Sequence, residues 1–391
     1  MDQDSFDVIV VGGGIVGTAA AYFLVRRGAS VALVERDRIG QGTTARSFAW
    51  INASSKVADE PYHRLNALGA GLYKELGSTF GDSRLGLHRT GMLQCISRSD
   101  AAGHAAMMEQ ADYLTRYGYP HSVIDAAALA ELEPHITFDD EVTAIHAMSE
   151  DWLDAPQCTR VLADEVRNLG SIVLEQCAAQ ELTMSDDGAI SGLVTQHGMF
   201  SAPRVLIAAG HETPEVLAQL TGYEAFSARF PMNRVPGLLV TTPDNDRTRN
   251  LHHVIYFDSP AGAFHIRPAP NGGLRMGADD TDGMIAEDAS AGRMQEAAAR
   301  LLSYARARVP ELIGDITAEQ CELALGIRPY PHDGKTLAGP LPGSEGLYLI
   351  ATHSGITLAP ALGTLMAELI IEGSTSDALR PFSLDRFPGF S

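Results

Sequence analysis

Lysine is almost missing: Lys56, Lys74 and Lys335 are the only three in 391 residues. Acidic side chains outnumber basic ones, 49 to 29, for a formal charge of −20. That balance argues against nucleic acid and anionic lipid surfaces as partners. Cysteine is nearly as scarce. Cys95, Cys158, Cys177 and Cys321 have neither metal-ligand nor Cys-x-x-Cys spacing, so reduced thiols in a cytoplasmic protein are expected. The 13 histidines include no H-E-x-x-H or comparable cluster, and no metal site is expected. No run approaches the roughly 18 apolar residues of a spanning helix, so no transmembrane segment is expected. Met1-Asp2-Gln3-Asp4 lacks the basic start of a signal peptide. Repeats and low-complexity runs are absent, which removes solenoids and arrays.

What is present is ordinary for a soluble enzyme: 45% hydrophobic and 20% charged residues. The length exceeds what one core supports, so two packed domains are expected. The strongest signal is at the start. Phe6 to Val11 is an apolar strand, followed by Gly12-x-Gly14-x-x-Gly17, an alanine-rich helix, and a second strand, Val31 to Val34, closing on Glu35-Arg36. Gly12 permits a tight turn, Gly14 lets backbone N–H groups approach a pyrophosphate, and Gly17 brings helix and strand close. The first helical residues, Ile15 and Val16, offer unpaired N–H groups and a positive dipole end. Glu35, 18 residues past Gly17, is placed to accept hydrogen bonds from an adenosine ribose. The unit predicts a bound ADP moiety.

Further along, the pattern predicts helices over 61–76, 101–117, 125–132, 290–309 and 359–371. A turn at 151–156 launches a helix to Leu169, ended by Gly170. Strands are expected as a pair within 87–97, at 171–175 and 205–210, within 235–276, over 316–327 and at 347–351. A hairpin over 181–195 turns at Asp186-Asp187-Gly188. Nucleotide-binding elements lie at both ends and in the middle. The expected division is therefore discontinuous: residues 1–85, 150–215 and 320–391 form one domain, and 86–149 with 216–319 the other.

Four separated motifs resemble the D-amino-acid oxidase, glycine oxidase and sarcosine oxidase superfamily of flavoproteins. They are the N-terminal fingerprint, Gly42-Thr43-Thr44-Ala45-Arg46-Ser47, Val205 to Gly210, and a C-terminal block. That block runs Gly326-Ile327-Arg328-Pro329, Asp333-Gly334, Gly339-Pro340 and Gly346 to Pro360. The resemblance implies an α/β fold: a Rossmann-like FAD-binding domain with a second substrate domain of mainly antiparallel sheet plus helices. It implies FAD, contacted by the fingerprint, Glu35 and Arg36, Thr43, Thr44, Arg46 and Ser47, and Ala209 and Gly210. Gly326 and Arg328 belong to the same set, and Ala179 falls where the family places a backbone contact to adenine. Gly355, Ile356, Thr357 and Leu358 precede a helix whose dipole suits negative charge at the flavin's N1 and C2 oxygen.

The resemblance also assigns substrate roles. Arg328 matches the arginine that grips a substrate carboxylate, a task suited to a planar guanidinium; a structural arginine bridging the domains is the other reading. Tyr256 lies where relatives place a tyrosine over substrate, or is a core aromatic. His265, His353 and Tyr330 are further cleft candidates. Three departures matter. Phe48-Ala49-Trp50 replaces small residues, so the pocket beside the ring is reshaped. Arg275 stands in place of a lysine that activates oxygen in one branch. No cysteine adjoins Arg328-Pro329, so the FAD is expected to be noncovalent, and dehydrogenase activity is more secure than oxidase activity. The expected reaction is oxidation of an amine or amino acid (D-amino acid, glycine-like or N-alkyl) by hydride transfer to flavin N5, giving an imine that hydrolyses. Oxygen or a quinone would accept the electrons, and homo-oligomerisation is left open. The alternatives are a 2-hydroxy-acid or polyol-phosphate dehydrogenase, and a flavoprotein subunit of a larger amine or opine oxidoreductase.

Overall fold

The computed structural model describes residues 5–186, 188–220, 222–258, 263–388 and 390. Val8–Val11, Val31–Val34 and Val205–Ile207 are buried at every position, the pattern of strands covered on both faces. They form the centre of a six-stranded sheet ordered Leu337–Pro340, Leu347–Ala351, Val205–Ile207, Val8–Val11, Val31–Val34, Ile172–Leu174. All neighbours are parallel except the pair at the Leu337–Pro340 edge. The first helix, Ile15–Arg26, packs against the C-terminal helix Gly355–Glu372 and the helix Ala155–Asn168. Asp154 caps the latter by accepting from the Gln157 N–H, with Pro156 in its first turn.

A second sheet has eight strands, in the order Glu322–Pro331, Met232–Thr241, Leu274–Ala278, Phe264–Pro268, Val254–Phe257, Met92–Ser97, Val142–Ala147, Ser122–Asp125. Its pairs are antiparallel apart from Val254–Phe257 with Met92–Ser97. Alternation decides its two faces. Ile255, Phe264, Ile266 and Met276 enter a core with Leu301 and Leu302 of the helix Ala291–Arg308. Tyr256, His265, Arg267 and Arg275 therefore share the opposite face, in register across three strands.

Several expectations change. Residues 316–321 are not strand: Ala318–Gln320 is a short 3-10 turn, and the strand runs instead over Glu322–Pro331 in the eight-stranded sheet. Sheet membership thus departs from the expected division, which grouped 320–391 with the nucleotide unit. Within 87–97 the two strands do not pair with each other. Leu87–His88 joins Asp151–Leu153 and Trp50–Ile51 in a small sheet, so 151–153 is a strand where only a turn was expected. The C-terminal helix starts at Gly355 rather than Ala359, with Pro360 inside it. This helix is also long and apolar enough to cross a membrane by length and composition, but two-thirds of it (67%) is buried, against the first helix and Glu60–Phe80. The helix Asp279–Glu287 was not foreseen. In the 181–195 hairpin, Asp187 lies outside the described residues.

Candidate active site between two helix starts

The nucleotide end is made by backbone. Gly12 sits at φ 111°, and a Cβ there would lie 2.4 Å from the Ala208 carbonyl oxygen. A Cβ on Gly17 would lie 2.0 Å from the Gly12 oxygen, so only hydrogen fits where helix meets turn. Gly14, the residue before the first helix, is different: a Cβ would meet nothing nearer than the Thr44 hydroxyl at 3.4 Å. The protein does not fill that space, which suits a phosphate. The Glu35 carboxylate accepts from the Gly13 N–H (2.6 Å) and the Asp37 N–H (2.8 Å), and burial raises its pKa. Gly210 (φ 60°) opens a 3-10 turn after Val205–Ile207, next to Ala209. Ala179 begins a half-buried strand opposite Thr195. The Arg36 side chain turns outward. Its guanidinium pairs with Glu212 (2.6 Å) and Asp37 (3.3 Å), and 57% of the side chain is exposed.

A loop, residues 42–52, is strung between the starts of two helices. At one end the Ile15 N–H donates to Thr44 Oγ1 (3.0 Å). At the other, Thr357 Oγ1 accepts from the Asn52 N–H (3.0 Å) and donates to the Trp50 oxygen (3.2 Å). Between these anchors the loop crosses the face of the eight-stranded sheet. Thr43 donates to the Ile327 oxygen (2.9 Å). A Cβ on Gly326 would strike the Arg46 oxygen at 2.7 Å, and Arg275 donates to the Ala45 oxygen (3.2 Å). The Ser47 hydroxyl donates to the Thr44 oxygen (2.9 Å) and the exposed Arg46 guanidinium to Gln41 (2.9 Å) and Gly42 (3.2 Å) oxygens. The hydroxyls expected at phosphates or ring thus have partners within the protein. Behind the loop's end, fully buried Glu150 accepts from the Ala53 N–H (2.8 Å), the Asn52 amide (2.7 Å) and the Tyr119 hydroxyl (3.3 Å). No sequence motif marked it.

The same sheet face carries the substrate candidates. Tyr256 and His265 have parallel rings 6.2 Å apart, Trp50 lies 5.9 Å from Tyr256, and Phe48 stands edge-on to His265 at 4.4 Å. Burial, with Arg328 and Arg267 nearby, holds the His265 pKa down to about 3, so the imidazole is neutral. Arg328 Nη2 donates to Asp282 Oδ2 (2.7 Å) and the Pro236 oxygen (3.2 Å). Its buried Nε has no partner. The guanidinium is therefore half engaged, and sequence reading missed its partner: Asp282 sits on the unforeseen helix and also accepts from the Leu238 N–H (2.9 Å). His353 is not among the Tyr256 rings. It stacks on Tyr330 at 4.5 Å and meets the Gly334 oxygen at 2.9 Å; burial lowers its pKa to about 4. Arg267 and Arg275 were also missed as a pair, though each lies in a visible strand.

These residues fit a flavin dinucleotide. There is unfilled space at Gly14, the two helix starts lie close together (a Cβ on Gly355 would lie 3.1 Å from Val16 Cγ2), and Arg328 and Arg275 each keep a buried Nε without a partner. Comparison with known proteins agrees. Residues 7–369 match the FAD dependent oxidoreductase family, DAO. The chain is 27% identical to glycine oxidase of Geobacillus kaustophilus, covering 98% of each. It is 22% identical to N-methyl-L-tryptophan oxidase of Yersinia pestis, covering 98% of this chain and 99% of that one. The crystal structure of the Geobacillus kaustophilus glycine oxidase superposes with a TM-score of 0.81 at 24% identity, over 99% of this chain and all (100%) of that one.

Proposed function

The chain belongs to the DAO family of FAD-dependent oxidoreductases, and from that membership we propose that it oxidises an amino acid or N-alkyl amino acid at the carbon bearing nitrogen. FAD supplies the hydride acceptor; everything else is the work of this chain. Gly12, Gly14, Gly17 and the N–H groups that open the first helix hold the pyrophosphate, and Glu35 takes the ribose. The start of the C-terminal helix, Gly355 to Leu358, turns its dipole toward the ring. Arg328 takes the substrate carboxylate, aligning the α-hydrogen with the acceptor. Phe48, Trp50 and Tyr256 exclude water. Neutral His265 and the lack of a dedicated base among the described residues fit an amine that enters deprotonated; the product imine hydrolyses in solution.

The observation that carries this reading is the buried, unpartnered Nε of Arg328. It lies on the face that the loop crosses, two residues from Gly326, where Arg46 packs. A buried donor of that kind calls for an acceptor, and with 41% of the Arg328 side chain exposed a substrate carboxylate can reach it beside Asp282. Noncovalent attachment is supported by the cysteines: three are buried, and Cys321 donates to the Thr317 oxygen (3.3 Å) with its pKa raised by burial to about 11. The test is anaerobic reduction of the flavin by a panel of D-, L- and N-methyl amino acids. Bleaching by a 2-hydroxy acid and by no amine would replace the proposal.

A further inference from the structure

We propose that Arg267 is a positioning residue that turns the Phe48–Ala49 peptide so that the Ala49 N–H faces the flavin; this rests on the reading that loop 42–52 borders the ring. Arg267 is only 2% exposed and makes no ion pair among the described residues. Directly opposite it in register is Arg275, a second cation. Neither the buried Arg267 nor the half-buried Arg275 makes a direct ion pair among the described residues, and such like charges are costly together, so their other contacts matter. Arg267 Nε donates to the Phe48 oxygen and Nη1 to the Pro268 oxygen (2.5 Å). Its guanidinium lies over the Trp152 ring at 4.5 Å and the Phe48 ring at 5.4 Å. Arg275 takes the Ala45 oxygen. Both cations thus pull loop carbonyls down onto the sheet.

A trans peptide is planar, with its oxygen and hydrogen on opposite sides. Drawing the Phe48 oxygen to the sheet directs the Ala49 N–H the other way. That N–H has no partner among the described residues; Ala49 takes part only as acceptor from the Leu153 N–H (2.9 Å). Ala49 also sits at φ 56°, buried at 4% exposure, in the left-handed region that a Cβ disfavours. Such strain persists where surrounding contacts impose it; here they are Arg267 on the Phe48 oxygen and the Leu153 N–H on the Ala49 oxygen.

The measurement is the two-electron midpoint potential of the bound flavin, set by dye equilibration, with no substrate needed. Arg267→Lys keeps the charge but loses the guanidinium geometry. It should lower the potential by about 30 mV, a tenfold loss of preference for the reduced form, with FAD still bound. Adding Ala49→Gly should restore at least half of the shift, since glycine takes this φ without strain. Ala49→Val, which disfavours the turned peptide while leaving Arg267 intact, should reproduce the drop. An unmoved potential in Arg267→Lys and Ala49→Val, or no recovery in the double variant, overturns the proposal. Because dye equilibration bypasses the substrate, failure of the amino-acid reading is scored separately.

Discussion

The two ends of the cleft are built by different means. At the proposed nucleotide end, the binding groups would be main-chain N–H donors set by the fingerprint glycines Gly12, Gly14 and Gly17. At the proposed substrate end they are side chains: the eight-stranded sheet carries Tyr256, His265 and Arg328, while Trp50 comes from the loop and Asp282 from the helix Asp279–Glu287. A backbone site tolerates almost any neighbour but no intruding Cβ. A side-chain site tolerates reshaping but depends on every long-range partner.

The sharpest test of that contrast lies within the fingerprint. Gly17→Val should abolish folding, because its Cβ would lie 2.0 Å from a backbone oxygen that cannot move aside. Gly14→Val should fold, since the nearest atom is 3.4 Å away, yet lose FAD, and with it the stabilisation that a bound ligand confers. Circular dichroism with flavin absorbance separates the two; a folded, yellow Gly14→Val protein would remove the phosphate role.

At the other end, Arg328→Ala should cost about 2–5 kcal/mol of transition-state stabilisation for amino acids. Flavin-reduction efficiency then falls roughly 30- to several-thousand-fold, while a matched amine without a carboxylate is little changed. Equal losses for both would make Arg328 a structural partner of Asp282. Next comes acid. A histidine whose folded pKa is depressed contributes stability that is present above its unfolded pKa of about 6.5 and is lost as pH falls toward the folded value. His265 (about 3) and His353 (about 4) should therefore make the protein less stable at pH 5 than at pH 7. Each contributes on the order of 1 kcal/mol, read by urea denaturation; His265→Phe should flatten the slope. The smallest effect concerns oxygen. With Arg275 held to the Ala45 oxygen, the reduced enzyme should reoxidise slowly in air and faster with a quinone, and Arg275→Lys should raise the oxygen rate in stopped flow. A wild-type rate typical of dedicated oxidases would end that argument.

The same contrast explains what could be read in advance. The parallel sheet, the fingerprint and the helix over 101–117 are local patterns, and sequence reading reached them. Strand 316–327 was misplaced because Ala318–Gln320 carries its own capping box, Thr317 with Gln320, a local signal that overrides an apolar run. Asp282 and Glu150 were invisible. A lone carboxylate gives no sign of the partner that folding will bring, whether a guanidinium from 46 residues away or the amide groups of residues 52–54. Arg275 was noticed by its motif, but its companionship with Arg267 is a matter of strand register.

The helix Gly355–Glu372 ties the two ends of the described chain together, packing on Ile15–Arg26. The fingerprint strand Val8–Val11 pairs with Val205–Ile207, and that strand with Leu347–Ala351, so the sheet and the Gly355 helix start join segments far apart in sequence. The Thr357 anchor of the loop is equally remote from the residues it holds. The proposed nucleotide site is therefore closed only by long-range contacts, which carry a larger loop-closure cost than local ones.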